Sequence, residues 1–216
     1  MRATLIGATG LIGNLLLELL LADEYFDSVR ILIRRPMELI HPKLEKKLVD
    51  FTDMESFRLA LEDSDVVFCS IGTTQKKVKG DKDAYRKIDY DITVNAARFC
   101  KLNGCETFVF VSSVGANSKS NNFYLRLKGE VEEAVKAVGL KKVYIMQPSL
   151  LLGNRKESRF GEKIAEWIMP VISFLIPPKY KPIKAAAVAN SMITFSKKNV
   201  PGSYIYQYKE IKTLVN

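Results

Sequence analysis

Residue types that build reactive or cross-linked sites are scarce in this chain. Of its 216 residues a single one is histidine, His41, which precedes Pro42 in a segment of loop-like composition. Because zinc sites and serine triads depend on histidine, we expect neither a metal site nor a histidine-based triad. The three cysteines, Cys69, Cys100 and Cys105, form an odd set without paired spacing. That excludes a disulfide framework and is typical of a reducing compartment.

Long apolar runs are also lacking. The longest, Trp167 to Ile176, contains Pro170 and is too short to span a bilayer. Met1-Arg2 leads directly into an apolar strand pattern, which leaves no room for a signal peptide. We therefore expect a cytoplasmic protein without an integral membrane segment.

Acidic residues are fewer than basic ones, 24 against 33, which gives a net charge of +9. The excess favours an anionic partner such as a phosphorylated cofactor or an acidic substrate, although a solvated lysine surface accounts for most of it. The densest basic cluster comprises Lys76, Lys77, Lys79 and Lys82 and has no interleaved aromatic residues. Nucleic acid is therefore not an expected partner.

Glycine is concentrated at the start of the chain, in the segment Gly7 to Gly13. It follows the buried strand pattern Ala3–Ile6 and precedes an apolar helix pattern. In a strand–turn–helix unit that cradles a pyrophosphate, Gly7 permits the sharp turn, Gly10 the approach of the phosphates, and Gly13 close helix packing. The alternative is an ordinary tight turn, but the flanking strand and helix favour the binding site.

Strand and helix patterns alternate over the rest of the chain. Further strands are predicted at Val29–Ile33, Lys47–Val49, Asp65–Ser70, Thr107–Val111 and Lys142–Met146. Helices are predicted around Phe57 and Leu61 with Asp53 as N-cap, and at Tyr85–Leu102, Phe123–Val138, Gly161–Trp167 and Ala185–Phe195. The order predicts an α/β fold, a doubly wound parallel sheet of strand order 3-2-1-4-5-6 with helices on both faces. Tyr204–Tyr208 is predicted as a seventh strand.

We expect residues 1–216 to form one domain, in which residues 149–216 shape the substrate pocket. The cofactor cleft is expected between the first and fourth strands, where the strand order reverses. The Gly7–Gly13 turn and the segment Ser70 to Thr74 would flank it.

The residues after the second strand separate the two nicotinamide dinucleotides. Sites for NAD place an acidic residue there, whereas this chain has Arg34 and Arg35. Guanidinium groups suit the 2′-phosphate of NADP(H), although a surface arginine pair is the alternative. Asp50 and Phe51 would then meet the adenine. The path toward the nicotinamide would be lined by Thr9, Ile71, Gly72 and Thr73.

Tyr124 and Lys128 share one face of a predicted helix, one turn apart. An ammonium group lowers the pKa of a neighbouring phenol, so that the phenol can exchange a proton with a carbonyl oxygen during hydride transfer. Lys128 is also placed to hold the nicotinamide ribose. Ser113, at the end of the fifth strand, is a candidate to hydrogen-bond the same carbonyl. The sequence leaves open whether Ser112 or Ser113 faces the cleft.

These motifs together resemble an atypical short-chain dehydrogenase/reductase. More narrowly, the chain is similar to the Tat-interacting-protein oxidoreductase family over about its first three-quarters. The matching segments are Ile71-Gly72-Thr73-Thr74, Ser112-Ser113-x-Gly115-Ala116, Ser120-Asn121, Tyr124-Leu125 with Lys128-Gly129-Glu130-Val131-Glu132, and Arg155-x-Glu157-Ser158-Arg159.

The resemblance implies an NADPH-binding Rossmann domain with Tyr124 as proton donor or acceptor. The cofactor contacts that it implies come from Thr9, Gly10, Leu11, Ile12, Arg34, Arg35, Ile71, Thr73, Lys128, Leu151 and Arg159. Two features depart from the family pattern. Gln147 stands where the family tends to carry arginine, and Leu11 and Ile12 are more apolar than usual.

The sequence thus predicts an NADPH-dependent oxidoreductase that transfers hydride to a carbonyl-type small molecule. The alternative is an NADPH-binding sensor or regulatory protein without significant turnover, and a quinone or flavin reductase is a third possibility. For Phe160 to Ile176 pocket lining or domain core is favoured, with a membrane-surface or subunit-contact helix left open. A homo-oligomer is therefore an open expectation.

Overall fold

A computed structural model describes residues 1–153 and 177–213. Within them seven parallel strands form one sheet: β1 (Arg2–Ile6), β2 (Ser28–Ile33), β3 (Leu44–Leu48), β4 (Val66–Cys69), β5 (Thr107–Val111), β6 (Lys142–Met146) and β9 (Gly202–Tyr206). Two short strands, β7 (Leu151–Leu152) and β8 (Ile183–Lys184), lie between β6 and β9 in the chain and are not part of this sheet. The order is β3-β2-β1-β4-β5-β6-β9. This confirms the predicted order and places a seventh strand beside β6, two residues earlier than predicted.

The central strands are apolar throughout because both faces of a parallel sheet are covered. Leu5 of β1 lies between Ile31 of β2 and Phe68 of β4, and all three are buried. The edge strand β3 is different, since its last three residues are exposed. Its charged sequence protects a sheet edge and also explains why only its end was predicted.

Helices cover both faces of the sheet. They are α1 (Leu11–Ala22), α2 (Met54–Leu59), α3 (Lys82–Arg86), α4 (Ile92–Leu102), α5 (Phe123–Ala137), α6 (Ala185–Ser196) and α7 (Tyr208–Thr213). Apolar side chains of α1 and α6 form one core with one face of the sheet, and those of α2, α4 and α5 form a second core with the opposite face. The doubly wound, Rossmann-like α/β fold is thereby confirmed.

Two local differences from the prediction concern the segment before α4. The predicted helix Tyr85–Leu102 begins earlier, at Lys82, because the Asp81 carboxylate caps α3. A π-helical turn, Lys87–Asp91, then joins α3 to α4. A second, two-stranded sheet of β7 and β8 was not predicted, since two-residue strands leave no period in the sequence.

The predicted helix Gly161–Trp167 lies outside the described residues. The assignment of residues 1–216 to one domain, with residues 149–216 shaping the substrate pocket, stays a prediction.

Candidate cofactor and catalytic site

The turn after β1 is built on glycines that lack room for a side chain. Gly7 has φ +93°, and a Cβ there would lie 2.9 Å from Ser70 Oγ. A Cβ on Gly13 would lie 2.0 Å from the Gly7 carbonyl oxygen and 2.6 Å from Ser70 Oγ. Glycine at position 13 therefore draws α1 onto the turn and onto the end of β4.

Gly10 is the N-cap of α1 and contributes no side-chain cap. The first bond of the helix runs from the Asn14 amide to the Gly10 carbonyl, at 2.9 Å. The amides of Leu11, Ile12 and Gly13 have no acceptor among the described residues. Unpaired amides at the positive end of a helix dipole bind anions, so this end of α1 fits a pyrophosphate.

Side chains around this turn point in different directions. Thr9 is exposed, whereas the Ile12 side chain is buried in the core and leaves its backbone amide to a ligand. A Cβ on Gly153 would lie 3.0 Å from Leu11 Cδ1, so the segment that follows Leu151 of β7 lies against the start of α1. Arg159, the other predicted contact from this part of the chain, lies outside the described residues.

The predicted adenosine end lies after β2 and β3. Arg34 and Arg35 follow β2 directly, are exposed, and form no ion pair with the residues described. The exposed Asp50 carboxylate accepts hydrogen bonds from the Thr52 amide at 2.9 Å and the Thr52 hydroxyl at 2.8 Å. These bonds lower the pKa of Asp50. The Phe51 ring is buried in the core, so it offers little beyond its backbone to a ligand.

The loop after β4 closes the other side of the cleft. Gly72 is exposed and Thr73 is buried. The Thr73 amide donates to Asp89 Oδ2 at 2.8 Å, and the Tyr85 hydroxyl donates to the Thr73 carbonyl at 3.0 Å. Ile71 packs against the core. The backbone of Ile71–Thr73 is therefore held from the side of α3 and the π-helical turn.

Tyr124 and Lys128 lie one turn apart on α5, with Lys128 Nζ 6.0 Å from the centroid of the Tyr124 ring. Tyr124 is half-buried, and in the described part of the chain its hydroxyl has no hydrogen-bond partner. Lys128 is buried, and its Nζ lies 2.9 Å from Asp89 Oδ1. Burial lowers the pKa of Lys128, but the interactions with Asp89, Tyr124 and Cys69 together outweigh burial, and the pKa lies above its ordinary value.

Asp89 was missed by the sequence analysis. Its signal is an acidic residue on the apolar face of a helix, since Tyr85, Ile92 and Val94 around it are buried as well. A carboxylate at such a position requires a buried partner, and the partner here is Lys128.

The two serines after β5 differ in their partners. The buried Ser112 hydroxyl donates to Glu132 Oε1 on α5, and the Gln147 amide donates to the same oxygen at 2.8 Å. The Ser113 hydroxyl is half-buried and, within the described part of the chain, has one long bond, 3.4 Å, to the Val114 carbonyl. Ser112 is thus committed to α5, which leaves Ser113 as the serine with capacity for a ligand. Gln147, where the resemblance leads one to expect arginine, gives Glu132 a neutral partner.

Gly129, beside Lys128, has a structural role that the sequence analysis did not assign. A Cβ there would lie 2.1 Å from the Ser118 amide nitrogen. The Asn117 amide also donates to the Leu125 carbonyl at 3.0 Å. Glycine at this position therefore lets α5, with Tyr124 and Lys128, pack against the loop after β5.

No helix in residues 1–153 and 177–213 has the length and apolar character needed to cross a bilayer. In the same residues no three His, Cys, Asp or Glu side chains converge as metal ligands would.

Solved structures share this architecture. UDP-N-acetylglucosamine 4-epimerase from Bacillus cereus superposes with a TM-score of 0.71 at 18% identity, over 96% of this chain and 78% of the epimerase. The enzyme WbmH from Bordetella bronchiseptica, solved with NAD⁺, gives 0.74 at 17% identity, over 98% of this chain and 78% of WbmH. At these identities the likeness shows the shared Rossmann-like fold.

Curated relatives are closer in sequence. Protein HTATIP2 of Rattus norvegicus is 34% identical over 164 residues, which cover 74% of this chain and 67% of the relative. Protein FMP52 of Candida albicans is 31% identical over 216 residues, or 94% of this chain and 90% of the relative.

The FMP52 proteins of Candida albicans and Candida glabrata are both named mitochondrial. The prediction of a cytoplasmic location is wrong by this comparison. Its basis was too weak, because free cysteines argue against an oxidising compartment without separating one reducing compartment from another.

The family model described as NAD(P)H-binding matches residues 7–170, which begin at the first glycine of the turn and include Tyr124 and Lys128. The match covers the glycine turn, the end of β2, the loop after β4 and the Tyr–Lys helix. The chain therefore belongs to the NAD(P)H-binding family and has a Rossmann-like α/β fold.

Proposed function

We propose that this protein is an NADPH-dependent reductase that acts on a carbonyl-type group of a small molecule. The observation that carries the proposal is the position of Lys128. Its ammonium reaches from the Tyr124 face of α5 to Asp89, which also holds the loop after β4. This contact supports a Tyr–Lys pair at the cleft where the cofactor's nicotinamide is expected, rather than one on a solvated helix face.

The cofactor's pyrophosphate is assigned to the turn of Gly7, Gly10 and Gly13, with the free amides of Leu11 and Ile12 as donors. Its 2′-phosphate is assigned to Arg34 and Arg35. Two guanidinium groups without carboxylate partners in the described structure attract a phosphate monoester, which supports NADP(H) over NAD(H). Asp50 and Phe51 are assigned to the adenine. Thr9, Ile71, Gly72, Thr73, Leu151 and Arg159 are the remaining proposed contacts.

When bound, NADPH supplies the hydride for the carbonyl carbon. In the proposed reaction the Tyr124 hydroxyl donates its proton to the carbonyl oxygen, and the Lys128 ammonium stabilises the phenolate that remains. Ammonium has three N–H donors, so the approach to Asp89 leaves donors for the ribose hydroxyls of the cofactor. Ser113 donates a hydrogen bond to the substrate oxygen, because Ser112 is occupied by Glu132.

The test is NADPH oxidation across a panel of aldehydes, ketones and quinones. We expect the wild-type protein to reduce at least one acceptor. Tyr124→Phe should lower kcat on it by at least about a hundredfold, the lower range for a lost general acid. NADPH affinity, measured by calorimetry, should stay within about twofold, because removing one hydroxyl leaves the phosphate contacts unchanged. Tyr25→Phe is the matched control, since Tyr25 is exposed near the opposite, amino-terminal end of β1.

One observation favours a second function, an NADPH-binding sensor without turnover. The carboxylate of Asp89 at 2.9 Å offsets part of the charge with which Lys128 would activate a phenol. If the wild-type protein binds NADPH but oxidises it with no acceptor of the panel, the sensor replaces the reductase.

A further inference from the structure

Asp89 occupies an unusual position in the backbone. It lies in the π-helical turn Lys87–Asp91, and its side chain is 1% exposed. Single π-helical turns within longer helices occur frequently at functional sites. The Thr93 hydroxyl donates to the Asp89 carbonyl at 3.0 Å, which fixes the turn to the first residues of α4.

The carboxylate of Asp89 joins two parts of the candidate site. Oδ2 accepts the Thr73 amide at 2.8 Å, and Thr73 belongs to the loop after β4. Oδ1 lies 2.9 Å from Lys128 Nζ on α5. This approach is an ion pair by distance but is misdirected for a hydrogen bond, so Oδ1 has no hydrogen-bond partner in the described part of the chain.

Among the described residues, the groups with the largest electrostatic effect on Lys128 come from three elements. They are Asp89 in the π-helical turn, Tyr124 on α5 and Cys69 on β4. The Cys69 thiol is neutral near neutral pH, because burial raises its pKa. Asp89 is therefore the carboxylate that keeps a buried ammonium charged at this site.

We propose that Asp89 is a positioning residue, whose carboxylate holds the Lys128 ammonium and the Thr73 amide in one fixed arrangement. The catalytic part of this inference rests on the proposed reductase function. The link between Asp89 and Lys128 does not, because it follows from the geometry of the protein alone. Through Asp89, the loop that approaches the nicotinamide and the lysine that holds its ribose keep a constant separation.

The first test does not need turnover. Lys128 is titrated in protein labelled with ¹³C at lysine Cε, and its signal is identified by its loss in Lys128→Met. In Asp89→Asn we expect Lys128 to lose its proton at least about one pH unit lower than in wild type, because burial is no longer offset. Asp91→Asn is the matched control, since it removes a carboxylate from the same turn. In this variant Lys128 should titrate as it does in the wild-type protein. An unchanged Lys128 titration in Asp89→Asn overturns the proposal.

If Asp89→Asn does not fold, a double-mutant cycle replaces the titration. Asp89→Asn combined with Lys128→Met removes both buried charges, so it should recover folded protein that Asp89→Asn alone does not give. Equal loss of folding in the single and double variants would show that the two residues are not coupled and would contradict the proposal.

The second test uses turnover with the acceptor that the panel identifies. In Asp89→Asn kcat should fall by at least about tenfold. The alkaline limb of the pH profile of kcat should move to lower pH in parallel with the Lys128 titration. Asp91→Asn should keep the wild-type profile. A fall in kcat without movement of the limb would leave Asp89 a merely structural residue and refute its positioning role. Failure of the wild type to turn over would refute the reductase, while the NMR titration would still decide the role of Asp89.

Discussion

Gly10→Ala separates a phosphate-binding turn from an ordinary strand-to-helix turn. Gly10 has φ −80°, which any residue adopts, and a Cβ there would have one close neighbour, the Gly7 carbonyl oxygen at 3.3 Å. Alanine at this position therefore requires the Gly7 carbonyl to shift by only a few tenths of an ångström. A phosphate on the α1 amides would not tolerate alanine, since the methyl group would stand beside them.

The expected magnitudes follow from these contacts. Alanine in place of an N-cap glycine should lower the free energy of unfolding by about 1 kcal/mol or less, or about 2–4 °C in Tm for a domain of this size. NADPH affinity should fall at least about tenfold, which is about 1.4 kcal/mol. Gly13→Ala is the contrasting variant. Its Cβ would lie 2.0 Å from the Gly7 oxygen, so it should lose at least about 1–3 kcal/mol of stability as well.

Calorimetric titration with NADPH and thermal unfolding of the same samples measure both quantities. The decisive result is Gly10→Ala with near wild-type stability and weakened NADPH binding. If Gly10→Ala binds NADPH as tightly as wild type, the turn does not hold the phosphates and the reasoning is refuted.

Three further predictions concern stability. Gly129→Ala should lower the free energy of unfolding, measured with denaturant, by at least about 1–3 kcal/mol, because its Cβ would lie 2.1 Å from a backbone nitrogen of the loop after β5. Wild-type stability of this variant would contradict the close packing of α5 against that loop. Glu132→Leu should lower the free energy of unfolding by about 1–3 kcal/mol, because the Ser112 hydroxyl and the Gln147 amide, both buried, lose their acceptor. Glu132→Gln keeps an acceptor oxygen and should lower it by less. Equal losses in the two variants would argue against these hydrogen bonds. Burial raises the pKa of Asp23, but the contact with the Lys197 ammonium helps to lower it below its ordinary value. Asp23→Asn should therefore be less stable than wild type at pH 7 by about 1 kcal/mol or less. This difference should vanish as pH falls through the lowered pKa, because a depressed carboxyl stabilises only above it; a difference that persists in acid would exclude the ion pair as its source.

Much of the fold was predictable because it depends on local patterns. Continuous apolar segments bounded by turn residues gave β5 and β6 at their observed limits. The charged edge strand β3 was predicted only in part, and the two-residue strands β7 and β8 were not predicted. These three strands lack the apolar pattern on which the prediction depends.

The site was predictable where chemistry follows from spacing, as in the glycine turn and the Tyr124–Lys128 pair. Asp89 and Glu132 were not identified as site residues, because their roles depend on partners that the sheet brings together from distant segments. Ser112 and Ser113 could not be distinguished for the same reason, since the partner of Ser112 lies 20 residues away on α5.

The most direct test of the account is a calorimetric comparison of NADPH and NADH binding to the wild-type protein and to Arg34→Gln/Arg35→Gln. Charge-assisted hydrogen bonds contribute about 1.5–3 kcal/mol each, so the account predicts at least about tenfold tighter binding of NADPH by wild type. The double variant should lose this preference while it still binds NADH. Equal affinity of the wild-type protein for the two cofactors would contradict the docking of a 2′-phosphate on the arginine pair.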